Sequence, residues 1–319
     1  MAAKVIALEE HYWDREVAAH FTERGPEMKD AGLRERLHDL GALRIKEMDE
    51  AGIDTQVLSH GAPSLQRLDA DVAVPLAREA NDRLHKSIQK SKGRFEGFAA
   101  LPTADPKAAA EELERAVTRL GFKGAMLHGL TKEGQFLDLK RFWPIYERAQ
   151  ALEVPVYMHP AYPHRAVIDA YYQDYLQQFP GLMTAAWGFT VETATQGIRL
   201  VLSGVFDAYP RLKIILGHLG ESLPFSAWRI DMALRRPGNT SSAFRDTFRN
   251  HFWITTSGNF STPALLCCVM EMGADRIMFS VDYPFVPNAP GVKWMEHVPL
   301  GLEDREKILG GNAKRLLKL

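Results

Sequence analysis

The sequence predicts an α/β fold in which eight parallel strands, each followed by a helix, close into a (β/α)8 barrel. Three observations support this prediction. Short, nearly continuous apolar segments recur along the 319-residue chain, as expected for parallel strands covered on both faces. Segments with helical periodicity separate them, and such alternation indicates a parallel sheet. Finally, there are eight apolar segments, the number that closes into this barrel.

The predicted strands end in a way that favours the barrel over the open sheet. They comprise residues 5–11, 55–60, 95–101, 124–129, 154–159, 213–218, 252–257 and 276–282. The main alternative is a doubly wound open sheet, which normally has a glycine-rich phosphate loop after its first strand. Here the first strand ends in Leu8-Glu9-Glu10-His11 instead.

Predicted helices fill most of the intervals between these strands. One has clear end signals, because Asp105 supplies an N-cap, Pro106 occupies the first helical position and Gly121 follows the last turn. The predicted helices comprise residues 34–51, 106–120, 142–152, 192–209, 223–234, 263–272 and 302–317.

The composition fits one barrel domain over residues 1–319 and restricts its partners. The hydrophobic fraction is 46%, which suits a large core, and Lys+Arg number 39 against 40 Asp+Glu. This balance predicts neither a nucleic-acid partner nor an anionic membrane surface. The N-terminal segment lacks a signal-peptide pattern and no apolar run reaches membrane-spanning length, so we expect a cytoplasmic protein. The adjacent Cys267 and Cys268 are expected to be packing residues.

Two connections are longer than a strand-to-helix turn requires. They comprise residues 13–32, after the first strand, and residues 161–188, after the fifth. Both follow the carboxyl ends of strands, where barrel enzymes place their sites. The second is rich in aromatic residues and predicts a lid or pocket wall, with subunit packing as an equally weighted alternative.

Residues that bind metals collect at the carboxyl ends of four strands. Glu9 and His11 are two positions apart on the first strand and share a face, whereas Glu10 points to the other face. One histidine at a strand end is more often a hydrogen-bonded structural residue. Burying five such groups without a metal or a tight network would cost several kcal/mol each. We therefore predict a divalent metal site at the barrel mouth, formed among Glu9, His11, His159, His218 and Asp282.

Seven short segments, in order along almost the whole chain, carry a family resemblance. They are residues 7–11, 48–54, 159–160, 214–221, 228–231, 256–260 and 279–285. On these segments the chain resembles the amidohydrolase superfamily (amidohydrolase-related family 2). Within it, the chain is similar to the branch that contains the γ-resorcylate, 5-carboxyvanillate and aminocarboxymuconate-semialdehyde decarboxylases. Hydrolytic relatives usually have His-x-His at the first strand, where this chain has Glu9-x-His11.

The resemblance implies a particular metal centre. One divalent ion, zinc or manganese with magnesium as a further candidate, would be held by Glu9, His11, His159 and Asp282. His218 would lie just outside the metal as a catalytic residue, with Glu221 hydrogen-bonded to it. The residues themselves agree, because Glu221 follows His218 by three positions at the start of a helix and can fix the imidazole tautomer.

The resemblance also implies that Arg44 and Arg229 face the substrate carboxylate; the alternative is that both are structural or surface arginines. Further residues at the same barrel face are His60, His128 and Asn259. Relatives are dimers or tetramers, so a homodimer or homotetramer is expected. The segment 286–290 departs from relatives that place Glu and Asn there, which leaves the substrate open.

Three functions are consistent with this site. The favoured one is non-oxidative decarboxylation of a phenolic or enol-like carboxylic acid, in which the carboxyl group of Asp282 protonates the ring carbon and His218 neutralises a nearby phenolate. The alternative is hydrolysis of a lactone or amide, or hydration of an unsaturated dicarboxylate, with Asp282 as general base for a metal-activated water. A barrel that has lost its chemistry and only binds is disfavoured, because it should have lost a ligand.

Overall fold

The computed structural model describes residues 4–21, 29–240 and 243–319. Nine parallel strand segments in these ranges form one barrel wall. They are β1 (Ile6–Tyr12), β2 (Thr55–His60), β3 (Phe95–Gly97), β4 (Ala99–Ala100), β5 (Ala125–His128), β6 (Val156–His159), β7 (Ile214–Leu216), β8 (Phe252–Thr255) and β9 (Ile277–Met278). Each segment falls within or close to one of the eight predicted strands.

The strand segments pair in chain order, β1-β2-β3 and β4 through β9. Between β3 and β4 the chain changes partner: the Phe98 amide donates to the Leu58 carbonyl, and the Ala99 amide donates to the Gly124 carbonyl, both at 2.9 Å. The ring closes where Leu8 forms a parallel bridge with Ser280. The predicted (β/α)8 barrel is therefore confirmed, with its third strand in two pieces.

Helices surround the barrel. The α-helices are α1 (Arg15–Ala19), α2 (Ala31–His38), α3 (Ala42–Ala51), α4 (Ala70–Lys90), α5 (Pro106–Leu120), α6 (Trp143–Ala151), α7 (Arg165–Val167), α8 (Gly188–Leu202), α9 (Val205–Ala208), α10 (Leu223–Leu234), α11 (Phe244–His251), α12 (Thr262–Met272), α13 (Asn288–His297), α14 (Leu302–Glu306) and α15 (Asn312–Leu317). Short 3₁₀ or π segments are Lys140–Phe142, Ile168–Tyr172, Gln173–Tyr175, Pro180–Met183, Ala274–Arg276 and Lys307–Gly311.

The sequence prediction omitted helices α1, α4, α7, α11 and α13 and joined helices that the structure separates. The predicted helix 34–51 is interrupted between α2 and α3, where Asp39 is extended and its carboxylate accepts hydrogen bonds from the Gly41 and Arg44 amides. The predicted helix 192–209 is interrupted by Gly204, which has a φ of 83°. Helix α4 contains Pro75, a residue that argues against a helix interior.

The interior of the barrel is filled by side chains. Buried residues from successive strands meet on the axis, among them Ile6, Leu8, Val57, Phe98, Met126, Tyr157, Ile215 and Met278. Helix α15 covers the amino-terminal end of the strands through Ala313, Leu316 and Leu317, which pack against this cluster. The carboxyl ends of the strands are consequently the end at which a site can open.

The two long connections differ in structure. The first contains α1 and leads into α2, and residues 22–28 within it lie outside the described residues. The second, residues 161–188, folds into α7 and three short helical segments. Its exposed aromatic residues are Tyr171, Tyr175, Phe179 and Trp187. Within the described ranges, every helix is too short or too polar to span a bilayer.

Candidate metal centre

The backbone turns sharply where the strands meet the site. Glu9 has a φ of 60° and lies in a register shift of β1 between Ala7 and Glu10. After β7 and β9 the chain leaves regular pairing earlier than predicted, and His218 and Asp282 have φ angles of 50° and 71°. Residues other than glycine rarely adopt this left-handed region, and they concentrate at functional sites. The strained positions aim these side chains into the barrel mouth.

The four predicted metal ligands converge. One ligand atom from each of Glu9, His11, His159 and Asp282 lies within 4.8 Å of the others. The Nε2 atoms of His11 and His159 are 3.1 Å apart. Asp282 Oδ1 lies 3.2 Å from His11 Nε2, and Glu9 Oε1 lies 3.3 Å from His159 Nε2. Two carboxylate oxygens and two imidazole nitrogens thus surround one point.

The unpaired atoms of this cluster show what it is suited to hold. Glu9 Oε1 and Asp282 Oδ1 are buried and accept no hydrogen bond from any described residue. Leaving two buried carboxylate oxygens unsatisfied is costly. A single divalent cation would satisfy both oxygens and both facing imidazole nitrogens, and this donor set suits zinc or manganese. The residues present therefore fit one divalent metal ion.

Hydroxyl groups hold Glu9 in its orientation. Its second oxygen, Oε2, accepts hydrogen bonds from the Tyr157 hydroxyl and from Ser257 Oγ, and Thr255 Oγ1 lies 3.5 Å away. All four side chains are buried. Because Oε2 is occupied by these donors, Oε1 is the oxygen that faces the metal position.

The two histidine ligands are oriented through their other ring nitrogens. His11 Nδ1 lies 3.2 Å from Ser59 Oγ. His159 Nδ1 lies 2.7 Å from the Pro160 carbonyl oxygen, which can only accept, so Nδ1 carries the proton of that ring. Partners of this kind fix the tautomer of a metal-binding histidine. The His159 Nε2 lone pair is left directed at the metal position.

His218 and Glu221 form an ion pair at the edge of the cluster. His218 Nδ1 lies 2.7 Å from Glu221 Oε1, and its Nε2 lies 3.5 Å from Glu9 Oε1 and 3.8 Å from Asp282 Oδ2. Burial lowers the pKa of His218, but the charges of Glu221 and Glu9 outweigh it and hold this pKa well above the ordinary value. His218 is therefore an imidazolium between carboxylates.

The carboxylates respond in the opposite direction. Burial raises the pKa of Asp282, but the neighbouring imidazole rings of His11 and His218 outweigh it and lower that pKa to about 2. Burial likewise raises the pKa of Glu9, and the charge of His218 and the nearby His159 ring bring it below the ordinary value. Both groups are ionised at neutral pH, the form that binds a cation.

Glu10 is not part of the cluster. Its oxygens accept hydrogen bonds from the Val281 amide at 2.9 Å and the Tyr283 amide at 3.1 Å, which tie β1 to the segment after β9. Burial raises the pKa of Glu10 to about 8. Its structural role agrees with the alternation along the strand, which separated Glu10 from Glu9 and His11.

Arg44 does not reach the barrel mouth. It is fully buried, and Nη2 donates to the His11 carbonyl at 2.6 Å while Nε donates to the Asp39 carbonyl at 3.0 Å. Its guanidinium also stacks on the Tyr283 ring, with Cζ 4.6 Å from the centroid. The structure thus corrects the expected substrate contact: Arg44 braces the end of β1, because its donors are taken by the protein itself.

The other candidates lie at different distances from the site. Arg229 is exposed on α10 and does not line the cavity described below. The Asn259 side-chain amide lies 3.5 Å from the His218 carbonyl. His164 is exposed and caps α7. His60 and His128 are buried behind the ligands, where His128 Nδ1 lies 3.0 Å from His159 Nδ1.

A cavity of about 870 Å³ opens beside the cluster. His218, Glu221, Ser257 and Asp282 line its inner end. The outer part is formed by α8, α10 and α12 together with Ala185 from the second long connection, which therefore contributes to the pocket wall. The described residues thus place an open space next to the predicted catalytic groups.

Comparison with known proteins identifies the family. A family model described as "Amidohydrolase" matches residues 10–319. The chain belongs to this amidohydrolase family. Among curated relatives, the amidohydrolase is 42% identical to the γ-resorcylate decarboxylase of a Polaromonas species and 40% identical to that of a Rhizobium species, and each match covers 98% of both chains.

Solved structures of decarboxylases are similar to the amidohydrolase over its whole length. A dihydroxybenzoic acid decarboxylase from Polaromonas, with bound manganese and the inhibitor 2-nitroresorcinol, superposes with a TM-score of 0.91 at 42% identity and covers 99% of this chain and 97% of its own. The 5-carboxyvanillate decarboxylase of Novosphingobium aromaticivorans, with manganese and 4-hydroxy-3-methoxy-5-nitrobenzoic acid, also gives 0.91, at 32% identity and 100% and 97% coverage. These neighbours support the expected divalent metal cofactor.

Proposed function

We propose that this amidohydrolase is a metal-dependent, non-oxidative decarboxylase of a benzoate that has a hydroxyl group beside its carboxylate. The observation that carries the proposal is the position of Asp282, whose Oδ1 belongs to the metal cluster while its Oδ2 lies 3.8 Å from the His218 imidazolium. A proton can therefore be delivered beside the metal-bound end of a substrate. The decarboxylase relatives confirm the predicted reaction class.

The preferred substrate is 2,6-dihydroxybenzoate (γ-resorcylate). It is the acid named for the two γ-resorcylate decarboxylases described above, and one structural neighbour, 40% identical, is complexed with it. The cavity wall suits such a ring, because Phe189 and Val286 supply apolar surface while Thr190 and Asn259 supply polar groups. We propose that these four residues contact the ring and its hydroxyl groups.

The reaction requires one proton at carbon and the loss of carbon dioxide. A divalent ion held by Glu9, His11, His159 and Asp282 supplies, when bound, positive charge for the carboxylate and the adjacent phenolic oxygen. Asp282 accepts the proton of the substrate hydroxyl and passes it to the ring carbon that carries the carboxylate, which leaves a phenolate. The carbon–carbon bond then breaks, its electron pair restores the aromatic ring, and carbon dioxide leaves.

His218 and Glu221 support that transfer. Glu221 keeps His218 charged, so that the imidazolium can face a phenolate and neutralise it as the ring carbon is protonated. A carboxyl group with a low pKa is a strong acid once it is protonated, which favours transfer from Asp282 to a weakly basic carbon. His218, Glu221 and Asp282 all line the inner end of the cavity.

Four predictions remain proposals of finer detail. We propose manganese over zinc, following the structural neighbours. The homodimer or homotetramer, the cytoplasmic location and the contact between Arg229 and a substrate carboxylate stay predictions from the sequence. The alternative of a hydrolase or hydratase draws no support from the relatives described above.

A substrate panel tests the proposal. Manganese-loaded protein is incubated with 2,6-dihydroxybenzoate, 2-hydroxybenzoate, 3-hydroxybenzoate and benzoate, beside a lactone and an amide, and carbon dioxide is followed by mass spectrometry. We expect release only from the acids with an ortho hydroxyl group. His218→Asn should lower kcat about 10²- to 10⁴-fold, whereas His85→Asn, on helix α4, should not. Hydrolysis without carbon dioxide release would contradict the proposal.

A further inference from the structure

We propose that His128 is a positioning residue that fixes the metal-binding tautomer of His159. The Nδ1 atoms of the two buried rings are 3.0 Å apart, and the ring centroids are separated by 4.8 Å at an interplanar angle of 71°. The inference rests on the metal centre and not on the reaction, so its test can fail independently of the proposed decarboxylation.

The protons of this pair can be placed from their carbonyl partners. His128 Nε2 lies 2.8 Å from the His60 carbonyl oxygen. Because a carbonyl only accepts, Nε2 carries the proton and Nδ1 of the neutral His128 ring is an acceptor. His159 Nδ1 faces both that acceptor and the Pro160 carbonyl at 2.7 Å. Two acceptors converge on one N–H, and His159 Nε2 is left without a proton.

The position of His128 is fixed from three sides. It pairs directly with His159 in the parallel ladder between β5 and β6, so both side chains leave the sheet at the same level. Gln66 holds its backbone, donating from Nε2 to the His128 carbonyl at 2.8 Å and accepting from the His128 amide. Gln66 is itself buried. These contacts fix the backbone of His128, and the His60 carbonyl then orients its ring toward His159.

The opposite tautomer of His159 would destroy the metal site. A proton on Nε2 would point toward His11 Nε2, 3.1 Å away, and Glu9 Oε1, 3.3 Å away. Both atoms would then accept or compete for that hydrogen instead of coordinating a cation. His128 disfavours this state, because its Nδ1 would lose its donor and be left unsatisfied in a buried position.

Metal affinity measured without any substrate tests the inference. Metal-free protein is titrated with Mn²⁺, and free Mn²⁺ is followed by its electron paramagnetic resonance signal. In His128→Asn the amide oxygen replaces the Nδ1 acceptor, whereas in His128→Gln the amide replaces the Nε2 end, so that His159 Nδ1 keeps only the Pro160 carbonyl of its two acceptors. We expect His128→Gln to weaken Mn²⁺ binding about 10- to 100-fold and His128→Asn to stay within about threefold of wild type.

Two comparisons make the test decisive. His128→Phe should resemble His128→Gln; if the phenylalanine variant does not fold, the Asn and Gln variants, both polar and of similar size, decide alone. His85→Gln on α4 is the matched control and should bind Mn²⁺ as wild type does. Wild-type affinity in a folded His128→Gln variant, or equal weakening in the Asn and Gln variants, would overturn the proposal.

Discussion

The Nε2 atoms of His11 and His159 face each other across 3.1 Å in a fully enclosed part of the barrel mouth. The His159 nitrogen has no proton, because its Nδ1 donates to the Pro160 carbonyl. At most one proton could therefore bridge the pair, and two carboxylate oxygens beside it, Glu9 Oε1 and Asp282 Oδ1, would still lack partners. One divalent cation resolves all four positions together.

Removal of the hydroxyl that holds Glu9 should weaken metal binding. Tyr157→Phe deletes one buried donor to Glu9 Oε2 and leaves Ser257 Oγ, so the carboxylate is oriented less firmly and the Mn²⁺ dissociation constant should rise about 10-fold. Tyr146→Phe is the matched control, because this tyrosine lies on helix α6 and its buried hydroxyl donates to the Leu137 carbonyl at 2.9 Å, away from Glu9. Equal Mn²⁺ affinities in the two variants, measured by titration, would show that the hydroxyl does not orient Glu9.

The charge of Glu221 should set the alkaline limit of activity. This charge raises the pKa of His218, so the imidazolium is present below that pKa and is lost as the pH rises through it. In Glu221→Gln the pKa falls, and the alkaline limb of the kcat profile should move to lower pH by about one unit or more. Glu221→Asp keeps the charge and should shift the limb less. An unchanged limb in Glu221→Gln would exclude His218 as the group that titrates.

Arg44 should affect stability and not substrate affinity. Arg44→Met leaves the buried carbonyls of His11 and Asp39 without donors and should lower the free energy of unfolding by about 3 kcal/mol. Arg229→Met, on the exposed face of α10, should change it by less than about 0.5 kcal/mol. Urea unfolding measures both. A stable Arg44→Met variant with a strongly raised KM would contradict the structural role and indicate that Arg44 contacts the substrate.

Burial of His60 should make the fold sensitive to acid. Burial lowers the pKa of His60 to about 4, whereas histidine in an unfolded chain titrates near pH 6.5. The unfolded chain therefore takes up the proton first, and stability present above about pH 6.5 is lost as the pH falls toward about 4. His60→Asn keeps a donor for the Gly61 carbonyl but cannot titrate.

This variant isolates the effect of the imidazole. Between pH 7.5 and pH 5.5 the free energy of unfolding of the metal-free wild type should fall by about 1 kcal/mol more than that of His60→Asn. His85→Asn on α4 serves as the control and should follow the wild type. Parallel pH dependence in wild type and His60→Asn, measured by urea unfolding, would contradict neutral burial of His60.

The metal site could be predicted because burying ionisable residues at the ends of apolar strands costs free energy unless they bind a metal or form a hydrogen-bond network. Glu9, His11, His159, His218 and Asp282 all end such strands, and barrel geometry brings strand ends together; the family resemblance then separated the four ligands from His218. The residues that orient these ligands are harder to predict from the sequence. Tyr157 is two positions from His159 and shares its strand face, which indicates that its hydroxyl could reach the metal site. A tyrosine within a buried strand is common, however, and is usually interpreted as a packing residue.

Two errors have a different origin. The sequence around Arg44 does not show that the guanidinium is buried, because the approach of α3 to the end of β1 is what encloses it. Helix α4 was omitted, although the buried Ala73, Leu76, Ala77, Ala80 and Leu84 follow a helical spacing. Tertiary contacts decided the first case, whereas the spacing in the second is present in the sequence itself.

The most direct test of metal-dependent decarboxylation follows the carboxyl carbon itself. Protein stripped by a chelator and protein reloaded with Mn²⁺ are each given 2,6-dihydroxybenzoate labelled with ¹³C in its carboxyl group, and ¹³CO₂ is measured by mass spectrometry. We predict labelled carbon dioxide and resorcinol in equal amounts from the reloaded protein, and none from the stripped protein. Labelled carbon that stays in the acid with metal bound, or release that continues undiminished after the metal is removed, would contradict the account.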